Sequence, residues 1–74
     1  MSLGTFVREK RKAKRLTLQQ VAGMAGTSKS YVWELENGRV PNPGFMHCIY
    51  IAYAIGVSME EMALAAVPDI KETE

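Results

Sequence analysis

Apolar side chains recur along this chain at helical rather than strand spacing. Val21, Ala22 and Ala25 share one face of a short segment, and Val32 with Leu35 share one face of the next. Further on, Phe45, Cys48, Ile51, Ala52 and Ile55 fall largely at three- and four-residue steps, as on a helix that buries one side. No stretch alternates strictly between apolar and polar residues, the mark of a half-buried strand. Tyr50 to Tyr53 carries strand-favouring side chains, but its flanks make it helix.

Helix boundaries are written in the punctuation. Thr17-Leu18-Gln19-Gln20 is a capping box, with Leu16 and Val21 at the hydrophobic-staple positions. Ser58-Met59-Glu60-Glu61 repeats the design, with Val57 and Met62 as its staple. Asn42-Pro43 offers an asparagine cap and a proline at the first helical position. Asn37-Gly38 is a helix stop, because both residues tolerate the left-handed conformation. These signals predict an all-α fold of five helices, at about 2–14, 18–25, 28–37, 43–55 and 59–66. They define one domain over residues 1–67, followed by an acidic, flexible tail over 68–74.

Composition narrows the function. With 74 residues, 47% of them hydrophobic and 23% charged, the chain suits one small globular domain and has no room for an enzyme pocket walled by its own core. One cysteine forms no internal disulfide. Cys48 and His47, adjacent on a helix, point about 100° apart, Cys48 to the core and His47 to the surface, and cannot readily chelate one ion. We therefore expect no metal, no cofactor and no catalysis. The longest apolar run, Gly44 to Val57, has 14 residues and suits a buried helix better than a bilayer span of roughly 20. No apolar leader precedes the charges that begin at Arg8, so the chain reads as cytoplasmic, with no membrane partner.

The formal charge of +1 conceals a split. Residues 1–16 carry six basic side chains against Glu9 alone, and residues 41–74 carry five acidic ones against Lys71. A nucleic-acid-binding edge with an acidic far end has that pattern; so does a solvated helix face.

The second and third helices are separated by only a few residues, so they cross at a steep angle as a helix-turn-helix over about 18–37. Ala22 is small where the third helix approaches, and Gly26 supplies the positive φ of the turn. The run from Leu16 to Ala22, then Gly26-Thr-Ser-Lys-Ser-Tyr-Val-Trp-Glu-Leu-Glu-Asn-Gly38 and Pro43, resembles the Cro/phage-repressor, or xenobiotic-response-element, helix-turn-helix family. The likeness extends from about Leu3 to Ala65 and includes the junction from Ala52 to Met62.

That resemblance implies a compact, lambda-repressor-like domain: a transcriptional regulator, by default a repressor, that binds double-stranded operator DNA as a homodimer. Its third helix would enter the major groove, with Lys29, Ser30 and Glu34 at base edges. Glu34 could accept from cytosine N4, or repel phosphates and pair with a neighbouring cation. Thr17, Gln19, Ser28, Trp33, Asn37 and Arg39 fall at backbone-contact positions. Trp33 has two readings: packed over its own helix and the following loop, or set against the sugar-phosphate wall or a thymine methyl. The resemblance assigns Arg11 and Glu36 to a structural salt bridge, leaving Arg8, Lys12, Lys14 and Arg15 as spare cations. Three residues depart from the family pattern. Leu18 replaces a phosphate-binding glutamine, Arg15 a turn glycine, and Trp33 a small or polar residue.

The fourth helix is more apolar than one inward face requires. Met46, Ile49, Tyr50 and Tyr53 fall outside its core stripe, and Phe6 is similarly surplus. Phe6 and one tyrosine would simply cap the edge of the core, or the patch marks an interface; the second reading gives a dimer surface that includes Met46, Tyr50, Tyr53 and Met62. A rival reading keeps the fold and gives this surface to an unknown protein partner, with weak DNA binding. Antitoxin and restriction–modification controller roles belong to the same family.

Overall fold

The computed structural model describes the backbone of residues 2–71 and the side chains of residues 2–67. Five helices follow one another: α1 (Leu3–Ala13), α2 (Leu18–Ala25), α3 (Lys29–Glu36), α4 (Phe45–Ile55) and α5 (Met59–Lys71). Among the described residues there is no strand.

Short polar side chains start most of these helices. The Gln20 N–H donates to Thr17 Oγ1 at 3.0 Å, and the Thr17 N–H donates back to Gln20 Oε1 at 2.8 Å. Ser58 and Glu61 make the same reciprocal pair at the start of α5. The Ser58 N–H holds the Glu61 carboxyl below the usual carboxylate range. Ser2 Oγ caps α1 and Ser28 Oγ caps α3. Gly26, at φ +68°, ends α2 in the left-handed conformation that a glycine adopts without a Cβ penalty. Arg15 takes φ +58° between α1 and α2, a conformation that disfavours any residue with a Cβ.

Every helix contributes to one core. Val7 comes from α1; Val21, Ala22 and Ala25 from α2; Val32 and Leu35 from α3; Ile51, Ala52, Ala54 and Ile55 from α4; and Met62 from α5. Val7, Val21, Val32, Ile51 and Ile55 are fully enclosed, each contributing roughly 1.5–3 kcal/mol relative to exposure. α2 packs on both α3 and α4, while α1 packs on α3 and α5.

A close backbone approach and an ion pair help join α1 to α3. Gly4 lies so close to the end of α3 that a Cβ there would sit 2.5 Å from the Leu35 carbonyl oxygen and 2.7 Å from that of Glu36. Arg11 grips Glu36 through Nε to Oε2 at 2.7 Å and Nη2 to Oε1 at 3.0 Å, and donates Nη1 to the Leu16 carbonyl at 2.9 Å. The hydrogen bond to Glu36 raises the Arg11 pKa further above its ordinary value. Glu36, with its side chain 2% exposed, is the buried charge of the core.

The fold departs from the sequence reading in five places. α4 begins at Phe45 rather than at Pro43, because Gly44 is extended and acts as a cap that offers no side-chain bond. Phe45, expected in the core, is 71% exposed. Side chains lean toward a helix N-terminus, and at the first position this carries the ring past the core, which begins further along at Ile51. Met62, expected on the dimer surface, is 2% exposed. Its thioether belongs to the core cluster, against which Val57 also packs. His47 is half-buried rather than on the surface, its ring centroid 4.5 Å from that of Tyr31. α5 continues through Pro68 to Lys71 instead of ending near residue 66; residues 72–74 of the expected tail lie outside the described residues.

Candidate nucleic-acid interface

α3 buries Val32, Leu35 and Glu36 and exposes Lys29, Ser30, Trp33 and Glu34. These two faces are a direct result of the 3.6-residue period. The Gly26-Thr27-Ser28 turn brings the start of α2 against the exposed face. Leu18, the first residue of α2, joins Lys29, Ser30, Trp33 and Glu34 around a shallow, open hollow of about 360 Å³. The three base-contact candidates thus share one surface with two of the residues that depart from the family pattern.

Both N-terminal caps are exposed beside this surface. The N–H groups in the first turn of a helix have no carbonyl four residues back, and the helix dipole favours an anion there. Ser28 Oγ accepts from the Tyr31 N–H at 3.0 Å, and Thr17 Oγ1 accepts from Gln20. Each hydroxyl keeps its own hydrogen to donate. Gln19 is exposed on the first turn of α2 but does not line the hollow.

At the far end of α3, Asn37 is committed on both sides. Its Nδ2 donates to the Trp33 carbonyl at 2.8 Å, and its Oδ1 accepts from Arg8 Nη2 at 3.2 Å. Arg8 also lies 3.6 Å from Glu36. Asn37 therefore sets the position of the Arg8 guanidinium. The Arg39 guanidinium stands 5.2 Å over the Trp33 ring, and its backbone N–H bonds the Glu34 carbonyl at 2.9 Å. Trp33 is braced by the loop after α3, as its first sequence reading has it, and at 42% exposed it also remains part of the outer surface.

Residues 2–65 match the family model of the helix-turn-helix domain. The chain belongs to that helix-turn-helix family. A solved structure similar to it is the restriction-modification controller protein C.AhdI from Aeromonas hydrophila. The two share 30% identity over 81% of this chain and 89% of that one, with a TM-score of 0.76. A search of curated proteins finds no match.

Within this helix-turn-helix chain, sequence reasoning missed the link from Arg8 to Asn37 and the stacking of Arg39 on Trp33. Arg8 lies three residues before Arg11, hence on the same helix face, and that spacing was the available signal. Nothing local pairs residue 33 with residue 39. Lys14, counted among the spare cations, lies across Gly56, where an added Cβ would collide with its Cε and Nζ. It is therefore directed at the C-terminus of α4, where a cation is favoured.

Size does not select the site. A larger apolar groove of about 550 Å³, lined in part by Gly4, Leu35, Val40, Met59 and Ala66, shares no residue with the polar surface of α3. Burial pushes the Cys48 thiol above its ordinary pKa, which disfavours the reactive thiolate. Among the described residues no three His, Cys, Asp or Glu side chains gather as metal ligands, and no single helix is long and apolar enough to cross a membrane.

Proposed function

We infer that this chain is a sequence-specific, double-stranded-DNA-binding transcriptional regulator whose recognition helix is α3. The observation that carries this reading is the juxtaposition of two exposed helix N-termini with the outward Lys29, Ser30 and Glu34. In the major groove Lys29 donates to guanine O6 or N7, Ser30 donates or accepts, and Glu34 accepts from an exocyclic amine. Thr17, Gln19, Ser28 and Arg39 contact phosphates and fix the register. Asn37 contributes by positioning Arg8, whose guanidinium lies toward the same end of α3.

The regulator binds an inverted repeat as a homodimer and represses by occupying its operator. Exposed Met46, Tyr50 and Tyr53 on α4 support such a dimer, which would place two copies of α3 about one DNA turn apart, ~34 Å. The likeness to C.AhdI favours a controller role in a restriction–modification system over the other roles in the family.

Selection from a random duplex pool at low and moderate salt tests the reading. Enrichment of an inverted repeat is expected, with affinity falling steeply as salt rises. Lys29→Ala should relax preference at one base position and cost roughly 1–3 kcal/mol there. The exposed apolar side chains of α4 favour one rival, a protein-interaction module on the same fold. If no sequence is enriched at either salt, the regulator reading fails and that rival gains.

A further inference from the structure

Lys29, Ser30 and Glu34 account for polar base readout, but they do not explain the apolar side of the hollow they surround. Leu18 is half-buried on the start of α2, and Trp33 presents its ring from α3. The ring is held in place before any ligand arrives. Arg39 stacks over it at 5.2 Å, and Asn37 anchors only the backbone that carries it, donating to the Trp33 carbonyl at 2.8 Å. A large apolar surface fixed in this way has low entropy left to lose on contact.

The carboxylate of Glu34 stands beside these apolar walls. It repels a phosphodiester while Lys29 on the same hollow attracts one, so charge does not commit the site to phosphate, and its apolar walls suit it to the edge of a base. In the major groove the apolar group on a base edge is a methyl at pyrimidine C5. Thymine carries one, and 5-methylcytosine carries the same group.

We propose that Leu18 and Trp33 form a receptor for the C5-methyl group of one pyrimidine per half-site, making them specificity-determining residues beside Lys29, Ser30 and Glu34. This rests on the DNA-binding reading and deepens it. The polar residues read hydrogen-bonding groups on that base pair and its neighbours. The Leu18–Trp33 pair reads the methyl, which hydrogen bonding cannot.

The test uses the duplex recovered by selection, with the whole protein, in equilibrium binding at fixed salt. Each thymine is replaced in turn by deoxyuridine, and each cytosine by 5-methylcytosine. One position per half-site should respond by about four-fold, the effect of burying one methyl group. A loss on deoxyuridine assigns the methyl to thymine; a gain on 5-methylcytosine assigns it to that base. In Trp33→Ala, at an exposed position, and in Leu18→Gln, at a half-buried one, with the folding of both checked by circular dichroism, the response at that position should vanish.

Specific binding with no methyl-sensitive position would overturn the proposal and leave the regulator reading intact. A response that persists unchanged in both variants would overturn it equally. Absence of any enriched duplex removes the DNA-binding reading, and this proposal with it. The base replacements alter only the DNA, so the absence of a methyl-sensitive position overturns the proposal even where a protein variant fails to fold.

Discussion

Gly4 occupies a space that the backbone of α3 leaves too small for any side chain. A Cβ at that position meets two carbonyl oxygens at less than 3.0 Å, and backbone cannot swing aside as a flexible side chain can. Gly4→Ala should therefore destabilise the protein by roughly 1–3 kcal/mol, although alanine is the better helix former. Urea unfolding measures this, and an unchanged midpoint would mean that α1 can slide over α3 without cost. The requirement is invisible in the sequence. A glycine in a helix reads as a weak propensity, and its reason lies more than thirty positions away. Gly26 was legible because the turn that needs its positive φ is local. Phe45 misled for a related reason: spacing gives the face of a helix but not how far the neighbouring helices extend along it.

Between elements, the hold of α1 on α3 is electrostatic at its centre. Arg11 meets Glu36 with two hydrogen bonds, and the Glu36 side chain is 2% exposed. Arg11→Met would leave a buried carboxylate with only Arg8, 3.6 Å away and half in solvent, to offset it. We expect a loss near the lower end of the about 3–5 kcal/mol typical of breaking a buried pair. Adding Glu36→Leu to that variant should restore much of the loss. Thermal unfolding of the two variants checks this; equal stability of the single and double variants would show that Glu36 is solvated after all. Capped starts such as Thr17 and Ser58 were readable, since cap and partner lie three residues apart. The start of α4 was not, because Asn42-Pro43 carries the right residues and Gly44 then fails to continue the helix. The outer face of α3 was legible as a set of residues. Its meeting with Leu18 depends on the crossing of α2 and α3, which periodicity alone does not place.

At the scale of the whole molecule, α4 leaves large apolar side chains in solvent, the surface proposed for a dimer. Phe45 is 71% exposed, Met46 52%, Tyr50 45% and Tyr53 77%. Tyr53→Glu should shift the protein toward monomer in sedimentation equilibrium and leave helix content unchanged. Equal dimeric masses would move the interface to another face, and equal monomeric masses would overturn the proposed dimer. Met62, inside the core, is no part of that surface, and sequence spacing could not separate it from its exposed neighbours. The two hydroxyls that start α2 and α3 have a wider consequence. An aspartate caps a helix as well as a serine does, yet it brings a negative charge and no hydrogen to donate. Ser28→Asp should keep the melting temperature and lose the duplex, giving a folded molecule that DNA no longer holds. With the phosphate contact proposed for Ser28, foldability and partner choice would part at a single oxygen, where the helix asks only for an acceptor and the phosphate asks for a donor.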